Sequence, residues 1–450
     1  MTPATAASIV SELETLPEHK PGEPKRERTT GMKLLFPIVK QLLLVFVLFH
    51  ISLPLWLVYF VTSRFYGRAP QVARASQVLH YAVRTWQVNP PAPGLTFLQR
   101  VWLTVLVFRK FTLIPVWGVA WHIDDVLYGR VLDQTPVVKP LIEISAARSG
   151  STQLARYLED DPALVSPNLL QSILPYLWMW KLAPHTVGRF ITREQVQHKV
   201  DELLPPEFIE RHEGDPFRMD TFEVALFTGH LNSLGLFLGP EDGVLEFGAG
   251  RAHAGNLKLW EEDFIRLVDR LARKTIHYGG PGPDGAPRRF FVKGHFLAAA
   301  PALARHFPDA RFLTMLRTPD KRLQSAINYL RANPFDEVMG SIPWSWLVET
   351  IVSTEIIYSE HEQEWFTAQN GAIRCVVRFD EYVKDLSGTM TRIYRELLDG
   401  PVPPHVPQEH PPRRRHSYLL DRSLEELHVN EAALRTRLAG YFAWCKGAKS

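Results

Sequence analysis

From residue 34 the chain turns apolar: Leu34-Leu35-Phe36-Pro37-Ile38-Val39 leads to Lys40, and an uncharged run follows from Gln41 to Ser63. Its middle, Leu42 to Val61, has the roughly 20 residues a helix needs to cross a hydrocarbon core. Trp56 and Tyr59 near one end, with Arg64 and Arg68 beyond, have the form of an aromatic belt and a charged stop. The pattern predicts a single membrane helix over 32–66, although His50 and Pro54 lie inside it and a buried helix shows the same pattern. The run lies too far from Met1, and lacks the small-residue cleavage site, to read as a cleaved signal peptide. Before it, residues 1–31 are rich in Pro, Thr, Glu and Lys and predict a disordered polar tail. A second apolar stretch, Val101 to Trp121, is interrupted by Arg109-Lys110. A charge at mid-membrane costs about 2.5–3.5 kcal/mol, so residues 67–136 predict an amphipathic or interfacial helical linker. Lys and Arg flank the first helix on both sides, and the membrane side is not readable.

From Val137 the pattern changes to short apolar runs alternating with helical periodicity. Leu141-Ile142-Glu143-Ile144-Ser145 predicts a strand, Ala146 to Thr152 a small-residue turn, and Leu154, Tyr157 and Leu158 a helix that stops before Asp161-Pro162. The unit recurs. Phe290 to Lys293 precedes a helix from Phe296 to about His306; Arg311 to Leu316 precedes one from about Pro319; Ile373 to Phe379 precedes one from about Ser387 to Leu398. Strands alternating with helices predict an α/β fold, a central parallel sheet flanked by helices. Ligands of such sheets sit beyond the carboxyl ends of the strands.

Composition narrows the picture. With 46% apolar and 22% charged residues the chain is ordinary globular material. A net charge of +3 supplies no global basic field of the kind nucleic acid requires. Cys375 and Cys445 are the only cysteines, too few for a disulfide scaffold, and no Cys/His cluster has zinc spacing. None of the asparagines begins an N-glycosylation acceptor.

Three clusters at predicted strand ends carry chemistry. Arg148-Ser149-Gly150-Ser151-Thr152 can turn successive backbone N–H groups onto a phosphate at a helix N-terminus. It lacks the lysine of a nucleotide-hydrolase loop, and a plain Ser/Thr helix cap has the same composition. Lys293-Gly294-His295 offers a cation and a base near neutrality, although such tripeptides are commonly exposed loops. Arg317, at the end of its strand, and Ser325, two helical turns on, can grip one phosphate together.

In this order and spacing the clusters resemble the sulfotransferase family that uses 3′-phosphoadenosine 5′-phosphosulfate (PAPS). The resemblance runs from about Lys139 to Tyr441 and is sharpest at the turn 148–152, at the Phe-Val-Lys-Gly-His run ending at His295, and at Phe-Pro-Asp-Ala-Arg-Phe-Leu-Thr-Met-Leu-Arg ending at Arg317. Val377 to Tyr382 is similar to the family's late strand and acidic exit. The resemblance implies a sulfotransferase domain over 137–445, with a P-loop-like turn, and an acceptor-binding helical insert over 160–290. It implies that Arg148, Ser149, Gly150, Ser151 and Thr152 hold the 5′-phosphosulfate and that Arg317 and Ser325 hold the 3′-phosphate. Lys293 would sit at the oxygen bridging phosphate and sulfur, and His295 in the place of the base. Members with a carboxylate base make Glu223 or Asp220 the alternative. The basic loop that closes over the donor in soluble members has no clear counterpart; Arg413-Arg414-Arg415 is a substitute or a solvated charge run. No metal is implied. Joined to a membrane helix, the Trp-rich insert (Trp178, Trp180, Trp260) points to a lipid, sterol or glycan hydroxyl as acceptor, on an endomembrane such as the Golgi if the chain is eukaryotic.

One motif points elsewhere. Val244-Leu245-Glu246-Phe247-Gly248-Ala249-Gly250-Arg251 is similar to the first motif of S-adenosylmethionine-dependent methyltransferases, but a lone Gly-x-Gly is weak evidence and a turn in the insert accounts for it as well. A membrane-anchored protein that keeps the fold without activity is the third reading.

Overall fold

The computed structural model describes residues 9–10, 31–87, 96–203, 215–222, 257–331, 344–368, 371–410 and 421–447. Three helices come first: α1 (Gly31–Tyr66), α2 (Ala75–Trp86) and α3 (Phe97–Gln134). The α/β part follows as β1 (Leu141–Ile144), α4 (Ser151–Glu159), β2 (Leu164–Val165), α5 (Leu169–Ile173), α6 (Leu177–Leu182), α7 (Arg193–Leu203), α8 (Leu257–Gly279), β3 (Arg289–Gly294), α9 (Ala300–His306), β4 (Arg311–Leu316), α10 (Pro319–Arg331), α11 (Trp344–Thr367), β5 (Ile373–Arg378), α12 (Phe379–Lys384), α13 (Leu386–Ile393), α14 (Glu431–Arg437) and α15 (Ala439–Cys445). The last expected helix is divided, because a π-turn takes over at Tyr394–Leu398.

All strand pairs are parallel, in the order β2-β3-β1-β4-β5. Strands buried on both faces read as near-continuous apolar runs, and β1 and β4 are buried at every position. Alternate residues feed two cores. Ile142, Ile144, Phe290, Val292 and Phe312 pack with the first three helices, α8, α9, α11 and α15. Leu141, Phe291, Leu313, Met315 and Val377 pack with α4 and α13 on the other face. From β1 the chain moves outward to β2 and β3, then crosses to β4 and β5 on the other side. The strand order therefore reverses beside β1, which is where open α/β sheets bind ligands.

Among the described residues, Leu35–Tyr66 and Phe97–Gln134 are long and apolar enough to cross a membrane. No packing gap falls at the expected 136/137 boundary. Trp121 and Leu132 of α3 lie in the same core as the sheet, and Asp124 pairs at 2.8 Å with Lys274 of α8, both fully buried. Lys274 also lies 3.5 Å from the Trp121 ring centre and donates to the Pro175 carbonyl. Asp124 in turn accepts from the amides of Leu177 and Trp178. The tail expected to be disordered needs correction at one point. Ile9 is 2% exposed and Val10 bridges antiparallel to Val429, because an Ile-Val pair has apolar surface to bury.

A second buried charge centre holds β4 against the helices behind it. Arg322 of α10 donates to Glu355 at 2.9 Å, to Glu362 at 3.0 Å, to Ser359 at 2.7 Å and to the Tyr441 hydroxyl at 2.9 Å. Glu362 also accepts from Thr314 of β4. Burial opposes the guanidinium charge, but Glu355, Tyr441 and Glu362 outweigh it and hold its pKa well above the ordinary value. Arg322→Leu should leave two carboxylates buried without their cation and cost about 3–5 kcal/mol in denaturant unfolding. Removing the exposed Arg305–Glu261 pair should cost no more than about 1 kcal/mol.

Candidate active site

The site is built where strands β1, β3 and β4 end. After β1 the backbone closes a turn, with Ser149 N–H donating to the Ala146 carbonyl at 3.3 Å. It passes through the left-handed region twice, at Arg148 (φ 65°) and Gly150 (φ 97°). A Cβ on Gly150 would lie 2.6 Å from Cε2 of Phe379. Glycine is required there on both counts. Gly150 is the N-cap of α4 and no side chain caps that helix, so its first N–H groups face the turn. Among the described residues, the fully buried Ser149 Oγ has no hydrogen-bond partner. The first amides of α4, uncapped by any side chain, are the donors that suit an anion at this turn.

Hydrogen bonds bring the three clusters together. Lys293, 3% exposed at the end of β3, donates to Thr152 Oγ1 at 3.2 Å. His295 Nδ1 donates to the Ser145 carbonyl at 2.7 Å. That bond fixes the tautomer and puts the basic lone pair on Nε2. Arg317 Nη1 donates to the Arg148 carbonyl at 2.9 Å, and its guanidinium lies 4.6 Å from the centre of the Phe379 ring. Arg148 Nε donates to Ser325 Oγ at 3.0 Å while its guanidinium covers the Tyr329 ring at 4.9 Å. Burial and Asp220 hold the Tyr329 hydroxyl above its ordinary pKa, against the pull of Arg148.

Sequence reasoning missed several supporting residues. Ser145 is a hub: its carbonyl holds His295, and its hydroxyl donates to the buried Glu143 and accepts the Met315 amide at 2.8 Å. Glu143 pairs in register with Lys293. Tyr329, the platform under Arg148, carried no motif, and Phe379, the platform under Arg317, lay in the late strand motif with no role assigned to it. The segment 215–222 crosses the end of β3, where Phe222 N–H donates to the Lys293 carbonyl at 2.8 Å. It is fastened to α4 by Arg156 to the Met219 carbonyl and by the Met219 amide to Glu159. Asp220 is thereby brought within electrostatic reach of Tyr329. Glu223, the Gly248–Gly250 motif and Arg413–Arg415 lie outside the described residues. Among the described residues no three metal-binding side chains come together.

Residues 256–399 match the sulfotransferase family. No curated protein sequence matches the chain. The crystal structure of the sulfotransferase STF9 from Mycobacterium avium is similar over 86% of this chain and 95% of its own, at 17% identity and a TM-score of 0.57. The crystal structure of the sulfotransferase STF1 from Mycobacterium tuberculosis H37Rv is similar over 85% and 97%, at 16% identity and a TM-score of 0.53. Residues 256–399 thus carry the match to a sulfotransferase-family domain, and the two solved structures share the fold over most of this chain. Both covered shares exceed what residues 137–450 alone supply, so the likeness in fold reaches back into the first helices.

The turn itself is testable. Gly150→Ala should clash with Phe379 and strain the backbone, lowering the midpoint of thermal unfolding by several degrees in calorimetry. Ala147→Ser, at an exposed neighbour, should leave it unchanged.

Proposed function

We propose that this chain transfers a sulfuryl group from PAPS to a hydroxyl of a lipid, sterol or glycan at a membrane surface. The observation that carries the reading is the meeting of Arg148, Lys293, Arg317 and His295 around one left-handed glycine turn. The fit to a doubly phosphorylated nucleotide is specific in kind. Ser149 Oγ and the first amides of α4 supply donors for the 5′ end, with Ser151 and Thr152 beside them. Arg317 and Ser325, joined through Arg148, supply the grip for the 3′-phosphate. The donor brings the sulfuryl group and a phosphate leaving group; the protein supplies placement and charge.

An acceptor hydroxyl is a weak nucleophile at neutral pH. His295 Nε2 accepts its proton, which is worth about 10²–10⁴-fold, while Ser145 keeps the ring oriented and its other nitrogen protonated. Lys293 lies where negative charge grows on the bridging oxygen, and fixed donors in a partly buried site stabilise such charge strongly. Asp220 is the second candidate for the base, favoured by its place on the segment that crosses the end of β3, and Glu223 is the third. A methyltransferase reading fares worse: the strand after α8 ends in Lys293, where ribose recognition calls for an acid.

Radiolabel transfer from PAPS to extracted lipids and glycans tests the proposal. His295→Ala and Lys293→Ala should each lower kcat about 10²–10⁴-fold and leave affinity for 3′-phosphoadenosine 5′-phosphate within a factor of about three. Arg317→Ala should instead weaken that affinity about 10–100-fold, the loss of one charge-assisted contact. Full activity in His295→Ala would move the base to Asp220 or Glu223, separable by Asp220→Asn and Glu223→Gln. In a thermal-shift titration 3′-phosphoadenosine 5′-phosphate should stabilise the fold. Stabilisation by S-adenosylhomocysteine in its place would overturn the proposal.

A further inference from the structure

The chain on both sides of α1 is fastened to one body. Upstream, Ile9 is buried in the main core, Val10 bridges to Val429, and the Asn430 amide donates to the Ile9 carbonyl at 2.8 Å. The partner segment belongs to the catalytic domain: Arg422 and Asn328 bond each other through backbone and side chain, and Tyr441 lies in the Arg322 centre. Downstream, Arg68 and Arg74 both pair with Asp263 of α8, and Gln71 donates to the Trp117 carbonyl of α3. If α1 crossed a bilayer, residues 11–30 would have to cross it again to bring Ile9 back. That segment contains Lys20, Lys25, Arg26 and Arg28, and lipid rejects such a stretch.

The neighbouring helix agrees. Along α1 the partners on α3 advance in the same direction, Trp56 with Phe111, Tyr59 with Gly118 and Thr62 with His122, and Gln41 accepts from Arg109 at 3.0 Å. A crossing α1 would therefore carry the Arg109-Lys110 stretch of α3 into the bilayer beside it, with the Arg109 head group at the level of Gln41. Yet the outer side of α1 is apolar and bare: Phe36, Leu43, Phe46, Leu57, Phe60 and Phe65 are each more than half exposed. Lys40 and Arg64 are exposed on the same helix, and their ammonium and guanidinium groups suit anionic head groups.

We infer that the chain is monotopic: the outer face of α1 lies in one leaflet of an anionic bilayer, and the N-terminal tail and catalytic domain share one side of it. This replaces the single pass expected over 32–66. It rests on the membrane part of the proposed function and not on its chemistry.

The full chain, tagged at both ends, is made in the presence of sealed phosphatidylcholine–phosphatidylglycerol vesicles, floated, and treated with protease from outside. The expected result is flotation with both tags lost together. In a Cys445→Ala background, Val10→Cys with Val429→Cys should form an intramolecular disulfide in the floated protein, since bridged strand partners meet the distance requirement. Phe46→Glu with Leu57→Glu should lower the floated fraction about tenfold while keeping that crosslink, which shows that the fold is intact. One protected tag with the other lost, and no crosslink, would overturn the inference and leave membrane attachment standing. Failure to float, with the apolar face buried in a dimer, would overturn both.

Discussion

Positive charge forced together at one sheet edge is the constraint on which the remaining features depend. Arg148, Lys293 and Arg317 lie at or just beyond the ends of three different strands, and hydrogen bonds tie each of them to the turn and helix after β1. Arg317 is tied to the Arg148 carbonyl, which points toward it because Arg148 adopts a left-handed conformation. A second left-handed residue follows two positions on, at Gly150, roofed by Phe379. Phe379 in turn is the platform for Arg317. The loop is closed: the glycine admits the ring, the ring supports the guanidinium, and the guanidinium fixes the turn. Cations gathered at the carboxyl ends of neighbouring strands suit an anion, which is what the proposed function asks of them first.

Behind the site, the same charges are braced by a second set that faces no ligand. Arg322 follows Arg317 by five residues on α10 and is entirely buried between Glu355 and Glu362. Through Thr314 the cluster grips β4 itself. The strand that presents Arg317 is thereby fixed to α11 and α15, and the precision of the front depends on satisfied charges at the back. A hydrophobic substitute would pack, but a helix seated only by apolar contact has freedom to slide.

How much of this was legible beforehand follows from the kind of signal each part leaves. Four strands were plain because parallel strands buried on both faces leave continuous apolar runs; β2, two residues long, leaves none. Each of the three clusters alone has an ordinary structural reading, and they could be read only from their shared order and spacing. Glu143 and Ser145 could not, since one acid and one hydroxyl inside an apolar strand announce nothing until their partners are placed. The burial of Arg322 left no signal either: it stands in the charged stretch Asp320-Lys321-Arg322, and helix phase directs it inward while Lys321 stays out. The apolar run of α1 was legible as membrane-compatible, but composition records length and hydropathy only. Where the chain goes before and after the helix is long-range information, carried by contacts such as Ile9 with the segment at Val429.

The helices at the front of the chain are therefore more than a tether. Asp124 and Asp125 of α3 pair with Lys274 and Arg270 of α8, and α8 leads through a short turn into β3, which ends in Lys293 and His295. Lys274 and Asp124 are fully buried and mutually neutralising, a contact that resists sliding because either charge alone in that environment is costly. The surface proposed to meet lipid and the strand end proposed to present the base thus belong to one packed unit. A lipid-borne hydroxyl would meet a site whose height above the leaflet is set by α3 and α8. On the proposed reading the membrane face would act on acceptor choice by fixing distance.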